Sequence, residues 1–352
     1  MIGAKDEITL SGTILLGEEL EPFEGYLLLR DGVVMEVGTE KMNPDFEGII
    51  APALVNSHVH LGDSIFKDPP YLPLSDLVGP GGLKHRALVA ASRQDVVEGM
   101  RRSLSYMARS GTSVFADFRE GGEDGVEMLL EAMEGTALIG RIFGRPDPGS
   151  VRVHQKCWGI GISSTRDHPR SWIEDVVETA RSEGKKVGLH AGEAGRGDIE
   201  DALSLEPDLL VHLTQAEPRD LAKVAEAEVP VVVCPRSNLV TGVGFPDVAQ
   251  MLDLGIAVGL GTDNVMLNSP NLFSEMEFLS KALLHNDRQV FMMCTLNGAR
   301  ILGAGDEAGA IRVGKKCRMM VINRRSENMA GAIDPLASLV RRANPFDVLA
   351  VL

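Results

Sequence analysis

Paired cysteines, an excess of positive charge and long apolar stretches are all missing from this sequence. Each absence closes off a class of protein. The four cysteines, Cys157, Cys234, Cys294 and Cys317, are widely spaced and form no CxxC pair, which argues against a disulfide framework or a structural zinc knuckle. Lys and Arg total 35 against 50 Asp and Glu, a formal net charge of -15. Phosphate backbones need concentrated positive charge, so no nucleic-acid partner is expected, and no anionic membrane surface. No apolar run approaches the ~20 residues that span a bilayer. The opening MIGAKDEITLSG lacks a basic start followed by an apolar stretch. A soluble protein of the reducing cytoplasm is the expectation, with the oligomeric state left open, a homo-oligomer included.

What is present suffices for a large core. With 352 residues, 44% of them hydrophobic and 24% charged, the chain fits one large α/β unit or two domains. The first fifty residues read as β-structure: EITLSGTILL, then GYLLLRDGVVMEVG with a turn at Asp31 and Gly32. Beyond them, short apolar runs alternate with amphipathic stretches. The runs are GIIAPALVNS, GTSVFADFRE, TALIGRIFG, CWGIGISS, KVGLHAGE, DLLVHLTQ, VPVVVCP and GIAVGLGTD. Helix-like segments lie between them, among them Gln94 to Ser110, Gly125 to Glu134, Ser171 to Glu183 and Pro218 to Ala227. Eight buried-strand candidates separated by helices predict a (β/α)8 TIM barrel over residues 51–304, in preference to an open doubly wound sheet. After the helical CTLNGARILG the strand character returns in AGAIRVG, RMMVIN and FDVLAVL. A small β-sandwich is therefore expected from residues 1–50 and 305–352.

The polar residues that end these runs carry the chemistry. His58 and His60 close the first strand, His190 the fifth, His212 the sixth, and Asp263 the eighth. Strand C-termini of such a barrel open on one face, so these side chains converge. Residues i and i+2 share a strand face, so His58 and His60 can reach one ion while Val59 points away. A lone histidine after an apolar run is more often a satisfied core or surface residue. Four histidines and an aspartate at four strand ends are harder to obtain from packing alone. His58, His60, His190 and Asp263 offer three nitrogens and a carboxylate, with room for a water, to one divalent ion, zinc first and iron as the other candidate.

With these motifs in order, the chain resembles the amidohydrolase superfamily, in the branch of cytosine deaminase, S-adenosylhomocysteine deaminase and triazine hydrolase. ALVNSHVHLGDS is similar to the family's first-strand metal motif, HAGE to its fifth-strand HxxE, VHLT to its sixth-strand histidine, and CPRSNL and GLGTDN to its last two strand motifs. The resemblance implies one catalytic metal held by His58, His60, His190 and Asp263. It also implies that Glu193 shuttles protons and that His212 orients the water or substrate. The fourth run, CWGIGISSTRD, has no lysine at its end to bridge a second metal, which favours a single ion. The chemistry agrees: a bound metal makes hydroxide available near neutral pH, and Glu193, three residues past a ligand, can move the proton.

Substrate contacts are less specific. Ser237 and Asn238 follow the seventh strand and are candidates for shaping the pocket. Arg119 follows the second strand; gripping a substrate anion and pairing with Glu120 are equally open to it. Lys84 and His85 lie on the long segment after the first strand, residues 64–92, which suits a lid or a plain surface loop. Cys234 reads as a buried apolar residue. The expectation is a metal-dependent aminohydrolase that deaminates a small heterocyclic substrate of purine, pyrimidine or pterin type through a metal-bound hydroxide. Cleavage of a ring amide or a carbon–halogen bond at the same centre is the alternative, and a non-catalytic scaffold a more distant one.

Overall fold

A computed structural model describes residues 7–39, 43–147 and 149–352, so the first six residues of MIGAKDEITLSG lie outside it. The described residues fall into two compact units. One lies within Met1–Val55, Met107–Val114 and Asn271–Leu352, the other within Asn56–Tyr106 and Phe115–Pro270.

The first unit carries a six-stranded sheet. In spatial order its strands are Val348–Val351, Met319–Ile322, Phe46–Pro52, Glu7–Leu16, Glu21–Arg30 and Val33–Gly38. Only the pairing of Glu7–Leu16 with Phe46–Pro52 is parallel. Asp31 and Gly32 both have positive φ, 51° and 75°, as the tight Asp-Gly hairpin turn requires. Alternation places Leu10, Ile14, Leu27, Leu29, Ile50 and Val321 in one buried cluster. These are the terminal segments for which a β-sandwich is expected, and their strands lie side by side in one hydrogen-bonded sheet. AGAIRVG adds only isolated bridges at Ile311, because Gly309 and Gly314 take left-handed φ of 99° and 78° that an extended strand cannot use.

The run GIIAPALVNS divides at Ala53. Phe46–Pro52 enters the six-stranded sheet and Leu54–His60 starts the second one, of nine segments. This parallel sheet then takes Thr112–Arg119, Ile139–Gly144, Gly159–Ile162, Lys186–Ala191, Leu209–His212, Val231–Val233, Val258–Leu260 and Asp263–Asn264. The last two segments are halves of one strand. Val258–Leu260 pairs with Val231–Val233, whereas Asp263–Asn264 pairs with Leu54–His60. The sheet therefore closes on itself as an eight-strand, TIM-like barrel. Asn56 and Thr262 clasp the seam: Asn56 Nδ2 donates to Thr262 Oγ1 at 2.8 Å, and Thr262 N donates to Asn56 Oδ1 at 3.1 Å. Gly261 passes so close to the first strand that a Cβ there would stand 2.7 Å from His58 Cβ and 2.7 Å from His58 O.

The intervening helices follow the expected spans. Arg93–Arg109, Gly122–Ala132, Arg170–Ser182 and Pro218–Glu226 each bury an apolar stripe or start at a proline-favoured first turn. No helix among the described residues is long and apolar enough to cross a membrane.

Candidate metal centre

Strand ends deliver the site. His58, His60, His190, His212 and Asp263 are all buried, and all but His58 line a cavity of about 350 Å³ together with Glu193 and Lys84. His58 Nε2 lies 3.3 Å from Asp263 Oδ1 and 3.3 Å from His190 Nε2, and His60 Nε2 lies 3.5 Å from Asp263 Oδ1. The backbone bends sharply here. His212, Leu213 and Asp263 have φ of 79°, 51° and 57°, a left-handed conformation that non-glycine residues hold only when their surroundings enforce it.

The outer nitrogens fix how the rings point. His60 Nδ1 is 2.8 Å from Phe118 O and 2.9 Å from Glu120 Oε1, and His190 Nδ1 is 2.9 Å from Ile162 O. Nδ1 is thus the donor in both rings, which turns each Nε2 inward. Burial pushes His58 down to about 3 and His190 well below the ordinary histidine range, with the neighbouring imidazoles adding to the effect at His190. Burial alone would raise the Asp263 carboxyl. The hydrogen bond to His58 and the nearby imidazoles outweigh it and hold Asp263 well below the usual range. The neutral imidazoles of His58 and His190, with the His60 ring beside them, crowd around an ionised carboxylate and form a donor set that fits a divalent cation.

Glu193 stands beside this set, its Oε2 3.6 Å from His212 Nε2. Burial raises its carboxyl, and His212 opposes that shift. The helix Pro235–Thr241 supplies supports from below. Ser237 Oγ donates to Asp263 Oδ2 at 2.5 Å, and the Asn238 amide nitrogen lies 3.2 Å from His212 Nδ1. Both side chains touch the site's residues and do not line its cavity. Cys234, at the start of the same helix, is buried.

Lys84 lines the cavity, and its Nζ is 2.6 Å from Glu120 Oε1, 2.9 Å from Asn264 Oδ1 and 3.6 Å from Asp63 Oδ2. His85 is exposed and faces a neighbouring cavity of about 600 Å³. Arg119 is buried away from the cavity, its guanidinium 2.7 Å from Glu120 Oε2 and 3.5 Å from Asp117 Oδ2. Of the two roles open to Arg119, the structure holds the ion pair. The segment after the first strand contains the short helices Leu74–Leu77 and Leu83–Ala90, and Leu74, Val78 and Pro80 close one side of the cavity.

Asp63, Asn264 and the link from Glu120 to His60 escaped the sequence reading. Asp63 is fully buried, and burial pushes its carboxyl up to about 6 against the pull of Lys84 and His60. Its sequence signal is a carboxylate three residues beyond His60, and it is indistinguishable from an ordinary loop aspartate until Lys84 is placed.

Comparison with known proteins identifies a family and a shared fold. The model of the amidohydrolase family matches residues 49–352. A protein of Methanothermobacter thermautotrophicus, provisionally named an aminohydrolase, is 35% identical over 96% of this chain and 95% of its own. A 5-methylthioadenosine/S-adenosylhomocysteine deaminase of Moorella thermoacetica is 28% identical over 86% of this chain and 80% of its own. Among solved structures, an adenosine deaminase of Xanthomonas campestris with bound zinc superposes with a TM-score of 0.78 at 20% identity, covering 98% of this chain and 91% of that one.

Proposed function

The chain belongs to the amidohydrolase family, and on that premise we propose that it is a metal-dependent aminohydrolase that removes an exocyclic amine from a nitrogen heterocycle of purine, pyrimidine or pterin type. His58, His60, His190 and Asp263 would hold the ion, zinc in the first instance. A divalent ion there would supply Lewis acidity and lower the pKa of a water toward neutrality.

The residues of the chain do the rest. Glu193 Oε2 takes a proton from the attacking water and delivers it to a ring nitrogen, which makes the ring carbon electrophilic. His212 Nε2 holds the oxygen or the ring substituent in line. Glu193, emptied by that transfer, then takes the proton of the newly added hydroxyl and passes it to the exocyclic amine, so that the C–N bond breaks, ammonia leaves and the ring carbonyl forms. Asp263 keeps its charge through His58, while Ser237 and Asn264 hold its two oxygens, at 2.5 Å and 3.0 Å. The deaminase name of the Moorella relative supports the reaction class.

The observation that carries this reading is the placement of Glu193 Oε2 3.6 Å from His212 Nε2, on the wall of the cavity that the donor set lines. Elemental analysis together with ammonia release from aminated heterocycles tests it. Glu193→Gln is expected to retain metal and lose roughly 10²–10⁴-fold in rate. A protein that binds no metal, or a Glu193→Gln variant as fast as the parent, overturns the proposal.

A further inference from the structure

Resting on the aminohydrolase reading, we infer that the heterocycle carries an anionic group, a phosphate or a carboxylate, and that Arg145 and Arg166 receive it. Arg145 directly follows the third barrel strand, Ile139–Gly144, and Arg166 lies in the loop after the fourth, Gly159–Ile162. Both line the same cavity as Glu193 and His212. The Arg145 backbone is anchored at the rim by its N donating to Arg119 O at 2.9 Å.

Among the described residues neither guanidinium has an acidic partner, in a chain with 50 Asp and Glu against 35 Lys and Arg. Arg145 Nε is moreover buried and makes no hydrogen bond. A buried donor left without an acceptor costs free energy, and native structures seldom keep one that nothing fills. The acids of the same cavity are engaged. Asp167 accepts from Ser163 Oγ at 2.5 Å, Asp198 accepts from Ser164 Oγ and from Gly192 N, each at 2.9 Å, and Glu120 holds Lys84. The cavity is thus not positive in net charge. Its unclaimed hydrogen-bonding capacity, however, belongs to guanidinium groups, and their planar fork matches phosphate or carboxylate oxygens.

Two further observations place the anion away from the metal donors. Arg145 also lines the neighbouring cavity of about 600 Å³, beside His168 and Trp172, which gives a substituent room to extend from the ring. The Arg166 guanidinium lies over Gly197, in the loop that follows Glu193. A Cβ on Gly197 would stand 1.8 Å from Arg166 Nη2, so the loop is bare where that cation rests.

Binding to the zinc-loaded Glu193→Gln protein tests this without relying on turnover. Calorimetry compares adenosine, guanosine and cytidine with their 5′-monophosphates, and 5′-methylthioadenosine with S-adenosylhomocysteine. The nucleotide pairs report a phosphate and the last pair a carboxylate. In at least one pair the anionic member is expected to bind about tenfold tighter or more. Arg145→Met and Arg166→Met are each expected to collapse that ratio toward one, and Arg145→Lys to restore part of it. Gly197→Ala, which displaces the Arg166 guanidinium, is expected to lower the ratio as well, with zinc content and melting temperature checked in every variant. Anionic members that bind no better than their neutral partners, absence of binding included, overturn the inference, as does a ratio that survives both Arg→Met changes. Ammonia release from the parent protein is scored separately and decides only the aminohydrolase reading.

Discussion

Gly261 faces His58 across the barrel seam with no room between them: a Cβ on Gly261 would stand 2.7 Å from His58 Cβ, 2.7 Å from its O and 2.9 Å from its N. All three atoms belong to a buried strand, so none can step aside as a flexible side-chain tip would. Gly261→Ala must therefore move His58, the first of the proposed ligands. The expected outcome is a loss of metal affinity of about 10–100-fold, the range found when a ligand's supports are disturbed. Competition with a chromophoric chelator measures it, and unchanged affinity would mean that the seam yields elsewhere.

Glu120 ties Lys84 to His60 through one oxygen, Oε1, at 2.6 Å and 2.9 Å. Burial alone would raise this carboxyl, but Lys84, His60 and Arg119 hold it well below the usual range. Lys84→Met leaves that charge without its nearest cation, and breaking a buried pair from one side costs about 3–5 kcal/mol. Chemical denaturation of the variant reads this directly. A cost below about 1 kcal/mol, the level of an exposed ion pair, would show that the network contributes little.

Asp63 gives a pH dependence with a definite sign. Its carboxyl ionises near 3.8 in the unfolded chain and near 6 in the fold, where burial resists the charge. Between these values the folded state holds more protons, so this group makes stability fall as pH rises from about 4 to 6. The full effect is on the order of 3 kcal/mol by linkage. Asp63→Asn is expected to flatten the decline, measured by denaturant midpoints across that range, and an unaltered slope would assign the decline to other groups.

Metal removal should weaken the fold as well as any activity. An ion that binds only the native protein adds about 2.7 kcal/mol when its free concentration is a hundred times Kd. Chelation is therefore expected to lower the melting temperature, and titrating zinc back to restore it in proportion to site occupancy. A melting temperature indifferent to chelator would argue against a resident ion.

The barrel was legible because its strands are short apolar runs that stop at Gly, Ser, Asp or His, and the convergence of His58, His60, His190, His212 and Asp263 because they sit on those stops. The division at Ala53 was not legible, since Ile49 to Val55 is one unbroken apolar stretch apart from Pro52. Only tertiary hydrogen bonds separate its halves: Ala53 N goes to Arg318 O and Leu54 N to Gly111 O. The charged network escaped for a related reason. Lys84 and Asn264 are 180 residues apart, and a lysine in a proline- and glycine-rich segment reads as solvated until the fold buries it. The sequence alone does not choose between the two roles of Arg119, because pairing with Glu120 and gripping a ligand demand the same residue at the same strand end.

The Asn56–Thr262 clasp joins residues 206 positions apart. During synthesis the chain emerges from its N-terminal end, so the first strand, with His58 and His60, waits through most of translation for its seam partner. Until residues 258–264 arrive, the nascent barrel has an open edge, and its histidines face no Asp263. On the proposed ligand set, metal capture would thus be a late event, gated by the last strand. A chain released before that point would expose two unpaired strand edges and invite association with its neighbours.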